Sequence, residues 1–278
     1  MIRKRICGLL GLLLLWGASA SAQQSPKEVA HSTNGWLLIM NEYRFSPKWY
    51  LSTELHLRRA DLVKDWQQYI LRPALNYRLH PNLDVALGYS HMKTYPYGDQ
   101  PVRTIIPENQ LWQHLLLRHG LGKAGLTHRY RLEQRWIGST VPNSEGGWDI
   151  SGTDYAQRFR YRIFARLPLF TPAARPQQQL FAAFWDEVFL NLDTDFLVRN
   201  LQQNRIYLGL GYQFSPMANV QAGYMSQLIR KPNGIQYEQN PTLNVSLFYN
   251  LDLYRKPSEP TGSTSKPAQT RRLTSFRR

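Results

Sequence analysis

The sequence predicts an all-β chain, an antiparallel transmembrane β-barrel of ten to twelve strands. Segments of about ten residues or more alternate apolar and polar side chains, the period that places neighbours on opposite faces of a strand. The connections alternate between short and long, the hairpin asymmetry of outer-membrane barrels. Charged residues, finally, fall on the face that a soluble barrel would use as its core.

The 278 residues carry 34 Lys and Arg against 19 Asp and Glu, net +15, with a mean hydropathy of −0.46. A single long apolar run excludes a bundle of membrane helices, each of which needs about 20 apolar residues. Barrel strands are short and only half apolar, so composition leaves a barrel open. Arg3, Lys4 and Arg5, the apolar run Ile6 to Trp16 and the small triplet Ala20-Ser21-Ala22 read as a signal peptide over 1–22, cleaved before Gln23. Cys7 lies inside that leader, so the exported chain has no cysteine for disulfides, thiol catalysis or metal binding.

The barrel is placed in 23–254, with strands over roughly 35–45, 48–58, 67–79, 83–93, 110–119, 124–136, 154–168, 179–191, 203–214, 218–229 and 241–252. Trp49, Leu51, Thr53, Leu55 and Leu57 oppose Tyr50, Ser52, Glu54, His56 and Arg58; Leu243, Val245, Leu247 and Tyr249 oppose Thr242, Asn244, Ser246 and Asn250. Tight turns are read at Ser46-Pro47, His80 to Asn82, Gly120 to Lys123 and Ser215 to Met217, and long loops at 94–109, 138–153, 192–202 and 230–240. Bacterial barrels normally close with an even number. Ten or twelve strands are therefore expected, through an extra strand in 24–33 or a miscount. Trp49, Tyr89, Trp112, Trp136, Tyr155, Tyr212 and Tyr249 are assigned to interfacial girdles.

The segments 124–136 and 154–168 carry the candidate working residues. Leu126, His128, Tyr130, Leu132 and Trp136 share one face, and Arg129, Arg131, Glu133 and Arg135 the other; Phe159, Tyr161, Ile163 and Leu167 oppose Arg158, Arg160, Arg162 and Arg166. Arginine facing lipid costs roughly 2–4 kcal/mol at the midplane, so the arginine face must turn inward. Two roles fit such a sector. Paired with Glu54, Glu133, Asp186 and Glu187, it fills a narrow barrel; left in excess, it selects small anions or holds phosphate or carboxylate groups. Adjacent Asp186 and Glu187 must face opposite ways.

Catalytic patterns are missing. His31, His56, His80, His91, His114, His119 and His128 form no metal-binding array, and no nucleophile elbow occurs. Gly209 and Gly211 lie within a strand and relieve crowding rather than form a nucleotide loop. His56 beside Glu54 or Ser52 is the one candidate base. No catalytic residue, metal or cofactor is assigned.

The stretches Gly88 to Gly98 (GYSHMKTYPYG), Tyr130 to Trp136 (YRLEQRW), Arg158 to Ile163 (RFRYRI), Asp186 to Asn191 (DEVFLN), Asn204 to Phe214 (NRIYLGLGYQF) and Ser246 to Leu253 (SLFYNLDL) together resemble domain of unknown function family 2490. The resemblance spans about 34–254. It implies an outer-membrane barrel of a Gram-negative cell and brings no activity, substrate or catalytic residue. The 255–278 tail departs from that pattern: it is rich in Pro, Ser and Thr, with Arg255, Lys256, Lys266, Arg271, Arg272, Arg277 and Arg278 against Glu259, and reads as disordered.

Expected partners are outer-membrane lipids, the barrel assembly machinery and small anionic solutes, for a monomer; nucleic acid is excluded by export. Two other classes compete with a pore or structural barrel. A membrane-embedded hydrolase or acyltransferase requires histidine, carboxylate or hydroxyl to converge at the outer rim. A soluble periplasmic lipocalin-like binder requires an apolar interior.

Overall fold

The computed structural model describes residues 29–98, 103–192, 201–230 and 236–254; the leader and tail readings lie outside them. The strands are β1 (Val29–His31), β2 (Asn34–Arg44), β3 (Trp49–Ala60), β4 (Asp65–His80), β5 (Leu83–Thr94), β6 (Ile106–Leu121), β7 (Ala124–Pro142), β8 (Trp148–Phe170), β9 (Gln179–Asn191), β10 (Leu201–Gln213), β11 (Ala218–Arg230) and β12 (Tyr237–Asp252). From β2 to β12 each strand pairs antiparallel with the next. β12 then pairs with β2 in parallel, closing the sheet. The fold is an all-β closed barrel of eleven staves.

The expectation of an even count is thereby corrected. An odd number of hairpin-linked strands leaves first and last pointing the same way, so closure must be parallel. A strand does form in the 24–33 region, but β1 pairs with β12 in the same register as β2, Val29 to Tyr237 and then Asn34 to Thr242. It lengthens the seam stave instead of adding a twelfth. The stave is interrupted where Thr33 uses its carbonyl to accept the Leu62 amide at 2.9 Å. Asp61 and Leu62, both at positive φ (48° and 61°), fold the β3–β4 turn over Gly35, where a Cβ would stand 2.2 Å from the Leu62 carbonyl oxygen. Arg59 fixes that turn by donating to the Val63 and Lys64 carbonyls at 3.0 and 2.8 Å.

The turns divide by barrel end. Gly122 (φ 59°) opens the two-residue β6–β7 loop, as a II′ hairpin turn requires. At the opposite end β7 and β8 continue to Pro142 and from Trp148, so the long loop expected at 138–153 is mostly hairpin, with Asn143 closing its tip by accepting the Gly147 amide at 2.6 Å.

The outer wall is apolar: Leu75, Leu87, Leu111, Phe184, Leu208, Leu210, Tyr224 and Leu243 are exposed. The lumen is polar, with Arg131, Glu133, Gln110 and Asn240 fully buried. This arrangement is the reverse of a lipocalin-like binder. Trp112, assigned to a girdle, instead points inward at 1% exposure, because Gly88 opposite it has no side chain and the indole lies over its backbone. On the far side Trp36, Phe181, Ala183, Tyr207 and Met225 form an apolar wedge inside the lumen. Gly209 and Gly211 make room for it: a Cβ there would stand 2.2 Å from the Tyr207 hydroxyl and the Phe181 ring.

Parallel closure pairs Leu37 with Val245 and Tyr43 with Leu251. Cysteine pairs at either couple, in a chain whose Cys7 is replaced by serine, are expected to cross-link under mild oxidation. The mixed pairs, 37 with 251 and 43 with 245, should remain reduced; the converse pattern on non-reducing gels would indicate an antiparallel seam.

Candidate functional site

Strand pairing alone gathers the charged lumen. β7 places Arg129, Arg131, Glu133 and Arg135 on one face, and β8 sets Arg162, Arg160, Arg158 and Ala156 directly opposite them. All eight candidate residues, Arg166 included, face the interior. Asp186 and Glu187 part as their adjacency requires: Glu187 is buried inside, and Asp186 faces outward, accepting from Asn204 at 2.7 Å. The carboxylates that meet the arginines are Glu54, Glu108, Glu133 and Glu187.

Arg160 is the central strut. It donates to Glu133 on β7 at 2.6 Å and to Glu187 on β9 at 2.8 Å. Glu133 also receives Arg158 at 2.7 Å, and Glu187 receives Arg129 at 2.5 Å. Opposite this cluster, Glu54 on β3 accepts from Arg72 at 2.7 Å and bonds His56 at 3.0 Å. Arg131 reaches toward Glu54 at 3.7 Å and Glu133 at 3.9 Å, tying the two sectors across the lumen. The barrel is thus closed at mid-height by guanidinium–carboxylate contacts.

Cations outnumber anions there. Among the described residues Arg58, Arg162, Arg166 and Arg205 have no carboxylate within ion-pair distance. Aromatic faces compensate three of them: Arg58 lies 3.8 Å from the Trp36 ring centre, Arg166 3.7 Å from Phe181 and Arg205 4.6 Å from Phe189. Such contacts contribute roughly 0.5–2 kcal/mol. With one of their two amides turned, Gln203 and Gln227 bond each other, and the turned oxygen also accepts from Arg205.

Two cavities of about 200 Å³ each flank the plug. The one toward the long loops is lined by Trp36, Arg58, Arg158, Arg205, Glu108 and Arg135, among others. The one toward the tight turns is lined by Glu54, Asn76, His114, Arg129, Arg131 and Arg162, among others.

With this geometry in place the comparisons with known proteins decide the family. The profile described as "Protein of unknown function (DUF2490)" matches residues 33–239. The chain belongs to that family. An uncharacterized protein of Methylorubrum extorquens is similar, 26% identical over 187 residues that cover 66% of this chain and 73% of the relative. No solved structure matches.

Within this family member, sequence reasoning passed over Arg58, Arg72, Arg205 and Glu108. The signal was present for Arg58, which alternates in phase with Glu54 and His56, and for Arg205, in phase with Tyr207. His56 does meet Glu54, but at mid-lumen rather than at a rim, and the Ser52 hydroxyl is engaged by Asn76 at 2.8 Å. Among the described residues no three His, Cys, Asp or Glu side chains group to hold a metal ion.

Removing Glu133 strands Arg158, whose ion pair is with Glu133, and an uncompensated buried charge costs about 3–5 kcal/mol. Glu133→Gln is expected to lose that much stability in denaturant unfolding of the refolded barrel, followed by tryptophan fluorescence. Glu42→Gln, whose pair with Arg44 at 3.0 Å is partly solvated, should change it by less than about 1 kcal/mol.

Proposed function

We propose that the chain is an outer-membrane β-barrel acting as a narrow, anion-selective pathway that is closed in this conformation by the Arg–Glu plug. The observation that carries it is the surplus of lumen guanidinium over carboxylate, since rings of arginine in a pore favour anions. The apolar outer wall supports a lipid surround, because a soluble chain rarely exposes so continuous an apolar surface. Strands of 11 to 23 residues in the staves reach or exceed the length that a tilted strand needs to cross a bilayer. Export by the 1–22 leader and insertion by the barrel assembly machinery belong to the same proposal.

Arg160 is the residue to remove. Glu133 keeps Arg158 and Glu187 keeps Arg129 when it is lost, so neither carboxylate is stranded. In planar bilayers the parent protein is expected to show rare, small openings, and Arg160→Ser several-fold larger steps with an anion-selective reversal potential in a KCl gradient. Cation preference, or silence of a correctly folded Arg160→Ser barrel, overturns the proposal.

A further inference from the structure

The cavity on the tight-turn side contains an arrangement that filling the lumen does not explain. His114 faces Arg131 across the β6–β7 pair, and Arg129 faces Arg162 across β7–β8. Like charges directly opposite on a sheet destabilise it. Arg160 and Arg131, the next such pair, share Glu133 between them. Arg162 has no equivalent: its side chain makes no hydrogen bond or ion pair among the described residues.

The unused donors belong to residues that line this one cavity. Nε of Arg129, of Arg131 and of Arg162, Nη1 of Arg131 and Nε2 of His114 are all buried without a hydrogen-bond partner. Arg131 is fully buried, yet its hydrogen bonding amounts to one 3.4 Å contact with His114 Nδ1, its carboxylate approaches being 3.7 and 3.9 Å. Leaving one buried donor unmade costs about 1–3 kcal/mol and more for a charged group. Several on residues that line one cavity, beside an Arg162 with no partner, leave that region short of acceptors.

The geometry points to a binding site for a free tetrahedral oxyanion, phosphate or sulfate, in this cavity, held by His114, Arg129, Arg131 and Arg162. Guanidinium forks match phosphate oxygens two at a time, and donors from three adjacent strands suit a tetrahedral acceptor better than a planar one. The volume, about 200 Å³, equals six or seven waters at roughly 30 Å³ each, enough for the ion with part of its hydration. The site lies inside the lumen, so its ligand is a solute rather than a lipid headgroup on the outer wall. On the long-loop side Arg58 both donates to Gln68 at 2.6 Å and stacks on Trp36; Arg131 also has an aromatic face, Trp112 at 4.0 Å, but no hydrogen bond of comparable length. The inference rests on the anion-selective reading, whose lumen it makes specific.

Inorganic phosphate, with sulfate as competitor, is titrated calorimetrically into the refolded full-length barrel in maltoside micelles. One saturable site is expected. Arg162→Gln should bind about tenfold more weakly or worse, as loss of a charge-assisted hydrogen bond implies. Because it relieves repulsion with Arg129, that variant should unfold in phosphate-free buffer at or above the parent midpoint, while losing the phosphate-induced rise. Arg205→Gln, beyond the plug, should leave phosphate affinity unchanged. Absence of saturable binding to the folded parent, or equal affinity in Arg162→Gln, overturns the site. A barrel that binds phosphate but passes no current refutes the conduction reading alone; one that conducts anions without binding phosphate refutes the site alone.

Discussion

The contact of Arg160 with both Glu133 and Glu187 is the interaction on which the interior depends. An apolar outer wall turns the arginines of β7 and β8 inward together with Glu133 and Glu187, and most of these side chains are buried there. Charge pairing follows from that confinement. Because β8 lies between β7 and β9, Arg160 meets carboxylates on both neighbours at once. Around it Arg158, Arg129 and Arg131 form a second layer, and Glu54 links that layer to the far wall.

Pairing alone does not fill the lumen, and the remaining space is divided by chemistry. Trp36, Phe181, Phe189 and Tyr207 project from β2, β9 and β10, and the glycines of β10 and β11 leave the depth that their rings need. These rings present faces to the guanidiniums that lack carboxylates. A wedge of aromatics thus serves two purposes, occupying volume and tolerating surplus positive charge. Aliphatic side chains of equal size would supply only the first.

Most of the barrel was legible because period-two alternation is a local property. The strand segments, the inward arginine face of β7 and β8, and the crowding relieved by Gly209 and Gly211 all follow from spacing and the cost of charge in an apolar surround. The strand count was legible in the eleven alternating segments, which are the eleven staves; the rule that bacterial barrels close with an even number set it aside, and nothing in Leu37 or Val245, some two hundred positions apart, marks a parallel partner. Trp112 misled for a related reason. Its place in the lumen depends on the missing side chain of Gly88, a neighbour in space that lies on another strand. The site was legible in its residues and not in its pairing: Glu108 and Asp186 carry the same charge, but one bonds Arg135 inside and the other bonds Asn204 outside.

The outer wall obeys the same rule as the lumen. Several of its polar groups occur in bonded sets. His119 and His128 meet at 2.8 Å, His128 reaches the Tyr161 hydroxyl at 2.8 Å, and Asn109 joins Tyr89 at 2.5 Å and His91 at 2.9 Å. A polar group set among apolar side chains gains most from a bonded neighbour, and partners on the adjacent strand take that role. Cross-strand spacing supplies them, because side chains on one face of paired strands stand about 5 Å apart. Inside and out, the barrel therefore neutralises its polar groups through the register of its sheet, and the tight-turn-side cavity is the place where that register leaves the greatest excess of donors.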